Sequence, residues 1–585
     1  MEGRGGTRPI FERRRLLRRF SLQNRKETNL RHYSNIRIVP LFLLFALIPT
    51  AWGDNPAVTI TVDPTEDVHP INPLIYGMSF ASEQIVDELN IPINRSGGNS
   101  QSRYNWQADA TNRAMDWYFE SLPNSNPDPS QLPDGSTTDR FYESNDLYGC
   151  ETILTVPMIG YVAKDRNRLC SFSIIKYGPQ QDNDWQWFPD AGNGVRLDGT
   201  QITENDPLDA HIEVNEIFMG DWVDHLVGRF GTAASGGVEY YALDNEPGLW
   251  YETHRDVVHD APHDWQLADT SVVYALTMKS SDPTAKILGY EGWGWLSLIY
   301  SPYDFKWAGE NGNWSSTPDK TAGGYDFFAE YYLQRAAQAE LDYGTRFLDV
   351  FTSHLYPQGG EYSNNESSDM QARRMRSTRC LWDPSYVDET WIADIIMLIP
   401  RMQDWVETYY PGTMIGITEY NWGALGYPDG GIAQADILGI FGREGLDIGT
   451  LWTTVSPDTP AYNAFKIYTN YDDDDGHFGD ISVRCTVPDP DEVSAFASID
   501  SETSELKLIV LNKYPSDVTP ITVNVFNSVP LDTVQVYQWS GSGSLQQLPD
   551  IISEDNSLSF SAPAYSATLF ISSFCVDYSL DGPGD

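Results

Sequence analysis

The sequence predicts an α/β chain: a (β/α)8 TIM-like barrel with a small all-β sandwich, the sandwich formed by the C-terminal region plus an N-terminal strand. Three observations carry this. Between residues 73 and 475, eight strand-like apolar runs alternate with helical ones, the pattern of parallel strands joined by helices. After Thr469 the helical period disappears and short alternating strands split by turns take over, as in a sandwich. Ahead of the barrel, Ala57-Val-Thr-Ile-Thr-Val62 alternates as a lone strand and stops at Asp63-Pro64; it is expected to pair with the C-terminal domain.

Taken in order, residues 1–53 read as a leader and not as fold. Positions 1–37 hold ten Arg and one Lys against three Glu, a local balance of +8, and an apolar run at 38–48 leads to Ala51-Trp-Gly53. A basic region, a short apolar core and a small-residue exit describe a secretory signal peptide, so the chain is expected to be secreted. The apolar run is about half the ~20 residues of a spanning helix, which leaves anchoring by residues 38–53 as the alternative. Residues 54–72 hold the lone strand. Within 73–475 the strand runs are 74–80, 91–95, 153–159, 238–243, 286–290, 348–353, 414–418 and 448–453, and the clearest helical runs are 222–230, 265–279, 325–342, 390–409 and 431–441. Insertions at 123–141 and 164–209 are polar; the first is expected to be an exposed loop and the second, with Trp185 and Trp187, to build a cleft. The run Asp472–Asp475 reads as a solvated linker in preference to a calcium loop. Residues 476–585 form the sandwich.

Composition narrows the function. At 585 residues and 41% apolar content the chain supports a large barrel and a second domain. Net charge is −45, which makes nucleic acid or an anionic membrane surface an unsuitable partner; a neutral polymer and a monomeric state are expected. The 18 Trp and 33 Tyr exceed what a core needs, and aromatic faces are platforms for sugar rings. Five cysteines, none in a CxxC, argue against a zinc ribbon; Cys150–Cys170 is the first disulfide to test.

Two strand ends carry the chemistry. Val238–Leu243 runs into Asn245-Glu246-Pro247 on strand four, and Met414–Thr418 runs into Glu419-Tyr-Asn-Trp-Gly423 on strand seven. Strands four and seven face each other across a barrel mouth, so their glutamates fit a glycosidic cleft, one as acid and one as nucleophile or base. Asn245 is placed to bond a sugar 2-hydroxyl. Arg95 ends the second strand, where it bonds the nucleophile carboxylate or another barrel acid. His354 and Tyr356 end the sixth and are read as sugar contacts, with a satisfied core histidine as the alternative for His354. Trp293, Trp295, Trp422 and Trp452, at or just after strand ends, are read as stacking platforms or as core. His254, His259 and His263 lack zinc-site spacing and read as loop residues shaping the cleft.

The chain resembles glycoside hydrolase family 44, the endoglucanase and xyloglucanase family. The matching text is Asn94-Arg-Ser-Gly-Gly-Asn-Ser100, Arg103-Tyr-Asn-Trp-Gln107, Asp116-Trp-Tyr-Phe-Glu120, Leu243-Asp-Asn-Glu-Pro247 with Trp250, Thr253, His254 and His259, Ser353-His-Leu-Tyr-Pro357, and Thr418-Glu-Tyr-Asn-Trp-Gly423. It extends over most of residues 57–573. The resemblance implies a retaining endo-β-1,4-glucanase acting on soluble cellulose and xyloglucan, with Glu246 aligned to the acid/base and Glu419 to the nucleophile. It implies no cofactor for catalysis, and a structural calcium of the kind family members can carry, with metal ligands unassigned and Asp165 among the candidates. The family's Arg-Trp-Gly-Gly-Asn here reads Arg95-Ser-Gly-Gly-Asn99. Two alternatives stand beside this: a retaining mannanase or xylanase on the same barrel, and a non-catalytic glycan-binding surface protein.

Overall fold

The computed structural model describes residues 54–526, 531, 533–553 and 556–573. The expected leader at 1–53 and Cys575 lie outside them. Eight parallel strands close a barrel: Gly77–Ser79, Ile93–Ser96, Glu151–Val156, Tyr240–Leu243, Lys286–Gly292, Val350–Leu355, Met414–Tyr420 and Ile448–Leu451. Each falls on one of the eight sequence runs. The first run corrects at its start: Pro73–Tyr76 is a 3-10 turn, with Pro73 at its head and the Asn72 side chain accepting the Leu74 N–H at 3.1 Å. The barrel closes where the eighth strand meets the first, Thr450 opposite Gly77. A Cβ on Gly77 would sit 2.7 Å from the Gly449 carbonyl, so the closure needs glycine.

Helices wrap the barrel where the helical runs predict, with two starts displaced: the run at 222–230 is helical from Glu216, with Asn215 as its cap. The run at 390–409 becomes helical only at Leu398–Tyr409, because Asp388 folds the preceding chain into a turn by accepting the Thr390 N–H. The helix Pro428–Arg443 is buried from Asp429 to Gly442. Asp436 on it meets Lys513 of the sandwich at 2.8 Å, both buried, and Gly439 packs against Phe496. This helix therefore fastens the sandwich to the barrel.

The sandwich packs Ile60, Val62, Leu508, Val523 and Phe570 into its own core. The N-terminal strand, Val58–Asp63, lies between Ile481–Thr486, antiparallel, and Thr519–Val525, parallel. The second insertion folds into small sheets: its Leu169–Cys170 pairs with Glu120–Pro123, which pairs with Ala110–Asn112, and the hairpin Asn183–Asp184 with Phe188–Gly192 forms another. The expected loop at 123–141 corrects in part, since its end opens the helix Thr137–Leu147, capped by Ser136 accepting the Asp139 N–H.

Cys150, Cys170, Cys380 and Cys485 are free thiols, so the Cys150–Cys170 bridge is corrected. Cys150 sits in the barrel's outer core while Cys170 belongs to the insertion sheet, opposite Glu120. The chain between them is the third barrel strand, which carries the two apart. Asp472 accepts the N–H groups of Asp474 at 2.9 Å and Gly476 at 2.8 Å, and Asp165 accepts that of Asn167 at 2.7 Å; both are turn caps. Among the described residues no helix is long and apolar enough to cross a membrane.

Candidate active site

The turn after the fourth strand is built by its own polar residues. Asp244 is fully buried; it accepts the N–H of Asn245 at 2.7 Å and that of Met158 on the neighbouring third-strand tip. Burial pushes its carboxyl up to about 6 against those bonds. Asn245 is held on three sides: Trp250 Nε1 donates to its carbonyl at 3.1 Å, its Nδ2 donates to Asn99 at 3.3 Å, and Arg95 Nη2 donates to its Oδ1 at 3.2 Å. Glu246 then turns with φ of 46°, and Glu291 at the end of the fifth strand with φ of 58°. Such left-handed backbone costs on the order of 1 kcal/mol per residue and gathers at functional sites. The two turns are laced together by the Glu246 N–H donating to the Glu291 carbonyl at 3.1 Å.

Glu419, on the seventh strand, faces this turn. Arg95 Nη1 donates to its Oε1 at 2.8 Å and the Tyr356 hydroxyl donates to its Oε2 at 2.8 Å. His354 lies between the two glutamates, its Nδ1 3.2 Å from Glu246 and 3.5 Å from Glu419. One oxygen of Glu246, one ring nitrogen of His354 and one oxygen of Glu419 all fall within 4.8 Å of one another. Tyr356 is half-buried and the other groups are buried, Glu246 and Glu419 being 4% and 5% exposed.

A third carboxylate, missed in the sequence, joins them. Glu291 receives Arg95 Nη2 at 3.0 Å, His354 Nε2 at 3.2 Å, Thr418 Oγ1 at 2.8 Å and Thr352 Oγ1 at 2.7 Å. The signal was present: Tyr290-Glu291-Gly292-Trp293 is a third strand-ending glutamate, one residue beyond the run read as strand. Burial alone would neutralise these groups, yet charge holds them ionised. Glu291 is desolvated but falls to about 2 because Arg95 and His354 face it. His354 is desolvated but rises to about 9 through Glu419, Glu246 and Glu291. Arg95, buried as deeply, is raised by Glu291 and Glu419.

The predicted aromatic platforms divide. Trp452 is half-buried over Gly98 and beside Phe80, at the cleft. Trp293 is half-buried on Gly248, just after Glu246. It lines a surface recess with Tyr356, Gln358 and Trp391; Trp391, 49% exposed, was not singled out in the sequence. Trp295 and Trp422 are corrected. Trp295 is 4% exposed, its ring covered by Arg401 at 5.3 Å. Trp422 is 1% exposed and donates from Nε1 to Ser377 Oγ at 2.9 Å. Neither offers a face to a sugar. His254 is corrected as well: it is buried 3.4 Å from Arg103, in a group with Asp256 and His211. His263 pairs with Asp319 at 2.7 Å.

The arrangement can deliver a proton and a carboxylate to one bond, which is acid-assisted glycosidic cleavage and requires no cofactor. Comparison with known proteins agrees. The profile of glycoside hydrolase family 44 matches residues 110–359. Endoglucanase A of Paenibacillus lautus is 32% identical over 534 residues, covering 87% of this chain and 72% of its own length. Among solved structures, CelM2, a bifunctional glucanase-xylanase from a metagenome library, is 47% identical with a TM-score of 0.87, covering 89% of this chain and 100% of that one. A Paenibacillus polymyxa xyloglucanase of family 44, solved with xyloglucan, is 28% identical with a TM-score of 0.73, covering 88% and 99%. With that likeness running through barrel and sandwich alike, and with the two glutamates meeting at the barrel mouth, the chain belongs to glycoside hydrolase family 44.

Proposed function

We propose that this glycoside hydrolase is a retaining endo-β-1,4-glucanase that cuts internal bonds of soluble cellulose and xyloglucan. The observation that carries the mechanism is the approach of Glu246 and Glu419 oxygens to within 4.8 Å. Retaining pairs stand about 5–5.5 Å apart, whereas inverting pairs need about 6.5–9.5 Å for an intervening water. Charge supports the division of roles. Arg95 and protonated His354 supply two positive charges, and Glu291 and Glu419 supply two negative ones. A fifth group in that buried cluster is best neutral, which leaves the proton on Glu246.

In the first step Glu419 attacks the anomeric carbon while Glu246 gives its proton to the leaving oxygen. In the second, Glu246 takes a proton from water, the water oxygen attacks the same carbon, and Glu419 leaves. Asn245, held by Arg95 and Asn99, is the candidate partner of the 2-hydroxyl. Substrate choice rests on the relatives: an endoglucanase, a xyloglucanase and a glucanase-xylanase. The 47% identity to the last favours a second reading in which xylan is also cut. Export is proposed from the basic and apolar runs of residues 1–53, and the N-terminal sequence of protein recovered from culture medium tests it.

The deciding assay is product release from xyloglucan, carboxymethyl-cellulose, glucomannan and xylan by wild type, Glu246→Gln and Glu419→Gln. The first-formed anomer is read by NMR. Glucan turnover with retained configuration, lost in both variants, is expected. Activity surviving Glu419→Gln, or an inverted product, contradicts the mechanism; silence on both glucans contradicts the substrate.

A further inference from the structure

The hairpin Asn183–Asp184 with Phe188–Gly192 carries two exposed indoles at its tip: Trp185 is 72% exposed and Trp187 56%. The backbone beneath them is fixed from below. Arg168 donates from Nε to Glu120 at 2.8 Å, from Nη2 to Asp184 at 2.8 Å and from Nη1 to the Trp187 carbonyl at 3.4 Å. Glu120 is fully buried and Asp184 nearly so. Asp184 also accepts the Trp187 N–H at 3.2 Å, and Asn183 Nδ2 donates to the Pro189 carbonyl at 2.8 Å. A half-buried ion network, with Arg168 a third exposed over two buried carboxylates, thus holds two indoles out in water, where they lose the stabilisation that burial of an aromatic ring supplies.

These rings continue a path that starts at the catalytic turn. Asn245 Nδ2 donates to Asn99, and Asn99 Nδ2 donates to Asp116 at 3.1 Å. The next residue, Trp117, lies 5.4 Å from Trp187 between ring centroids, and Tyr118 donates to Asp182 at the hairpin's base at 3.1 Å. On the other side of Asn99, Gly98 lies under Trp452; a Cβ there would be 2.5 Å from the indole. A chain of contacts therefore links Trp452, just after the eighth strand, through Gly98, Asn99 and Asp116 to Trp117 and the hairpin tip.

We propose that Trp185 and Trp187 form an outer glycan platform, which takes glucosyl units of a β-1,4-glucan chain well away from the bond being cut. The proposal rests on the glucanase reading above. Sugar rings present flat apolar faces to indoles, and a neutral polymer suits a chain of net charge −45. The platform adds affinity for long chains without touching the reacting bond.

The test is the double variant Trp185→Ala/Trp187→Ala, assayed on polymeric xyloglucan and carboxymethyl-cellulose against cellotetraose. Both side chains are exposed, and an unchanged Tm confirms the fold. KM on polymer is expected to rise roughly tenfold with kcat held, so the polymer-to-tetraose ratio of kcat/KM falls roughly tenfold, the effect of losing ~1.4 kcal/mol of binding. An unchanged ratio overturns the platform. A second arm places the same substitutions on Glu419→Gln protein and measures retardation in gels containing xyloglucan, glucomannan or xylan. Weaker retardation in any of them supports the platform, and equal retardation in all three overturns it. If the wild type cuts no glucan, the functional reading fails by the first assay while the gels still decide the platform.

Discussion

Replacing Glu291 with Gln removes one charge from the buried cluster at nearly constant shape. Two magnitudes follow from the structure. The carboxyl stands at about 2 against an ordinary 4.5, a gap worth on the order of 3 kcal/mol of folding stability at neutral pH. Breaking a buried ion pair from one side costs about 3–5 kcal/mol, so the two routes agree. Activity should fall more sharply than stability alone explains. Without Glu291, Arg95 and His354 keep only Glu419 as an ionised partner in the cluster, Glu246 being protonated in the proposed mechanism, and one positive charge is left uncompensated. His354 should hold its proton less tightly, and the surplus positive charge favours the ionised form of the acid beside it. The expected result is kcat reduced roughly 10- to 100-fold, KM little changed, and the basic limb of the pH–rate profile moved towards acid, with part of each effect restored in Glu291→Asp. Steady-state kinetics across pH, with urea unfolding of the same samples, reads all of this. A folded Glu291→Gln enzyme with wild-type kcat and an unmoved basic limb would refute the reasoning, since Glu291 would then be a structural filler.

Three further outcomes test other links. Tyr356→Phe deletes the 2.8 Å bond to Glu419; a hydrogen bond to a charged group is worth ~1.5–3 kcal/mol, so kcat/KM should fall roughly 10- to 100-fold, and a change under threefold removes Tyr356 from the site. The pH dependence of stability has a worked sign. His354, raised from 6.5 to about 9, contributes fully below 6.5 and loses its contribution as pH rises through 9, while Glu291, depressed from 4.5 to about 2, contributes fully above 4.5 and loses it as pH falls through 2. The stability gap between wild type and His354→Gln should therefore shrink from pH 6.5 to 9; a gap that widens there contradicts the charged imidazole. Gly439→Ala places a Cβ 2.2 Å from Phe496, and the overpacking cost of about 1–3 kcal/mol should exceed the ~1 kcal/mol gained in helix propensity. A stabilised Gly439→Ala in urea unfolding would mean that the helix–sandwich contact is loose.

The barrel is legible because its strands are buried on both faces. Tyr240–Leu243 is buried at every position, and such a strand reads as an unbroken apolar run between polar turns. The sandwich is legible for the opposite reason: Val58–Asp63 and Thr519–Val525 each bury alternate residues. What escapes is polar burial. The helix Thr137–Leu147 buries Thr138, Asp139 and Asn145 alongside Tyr142, so it shows no apolar stripe. Trp422 escapes differently. It follows the catalytic strand and so invites a cleft reading, but Gly423 with φ of 74° presses the chain onto Tyr362 and the indole goes inward to Ser377. Sequence position locates a strand end; it does not say which way the next side chain turns.

The site shows the same limit at the level of charge. Reading along the chain, each group is assigned one partner: Arg95 to a barrel acid, Glu246 to Glu419. The fold makes each cation serve several anions. Arg95 bonds Glu291, Glu419 and the Asn245 amide oxygen, while His354 faces all three glutamates. Arg95, His354, Glu291 and Glu419 come from four different strands, and no pair among them is adjacent in sequence. Desolvation makes any incomplete version costly, so the cluster holds together only with its charges closed. In the proposed mechanism that closure is also what leaves Glu246 to gain and lose a proton, and it depends on Glu291, which is bonded to Arg95, His354, Thr352 and Thr418. A motif search for two strand-ending glutamates finds the proposed reacting pair; the third carboxylate becomes visible only when the positive charges around them are counted.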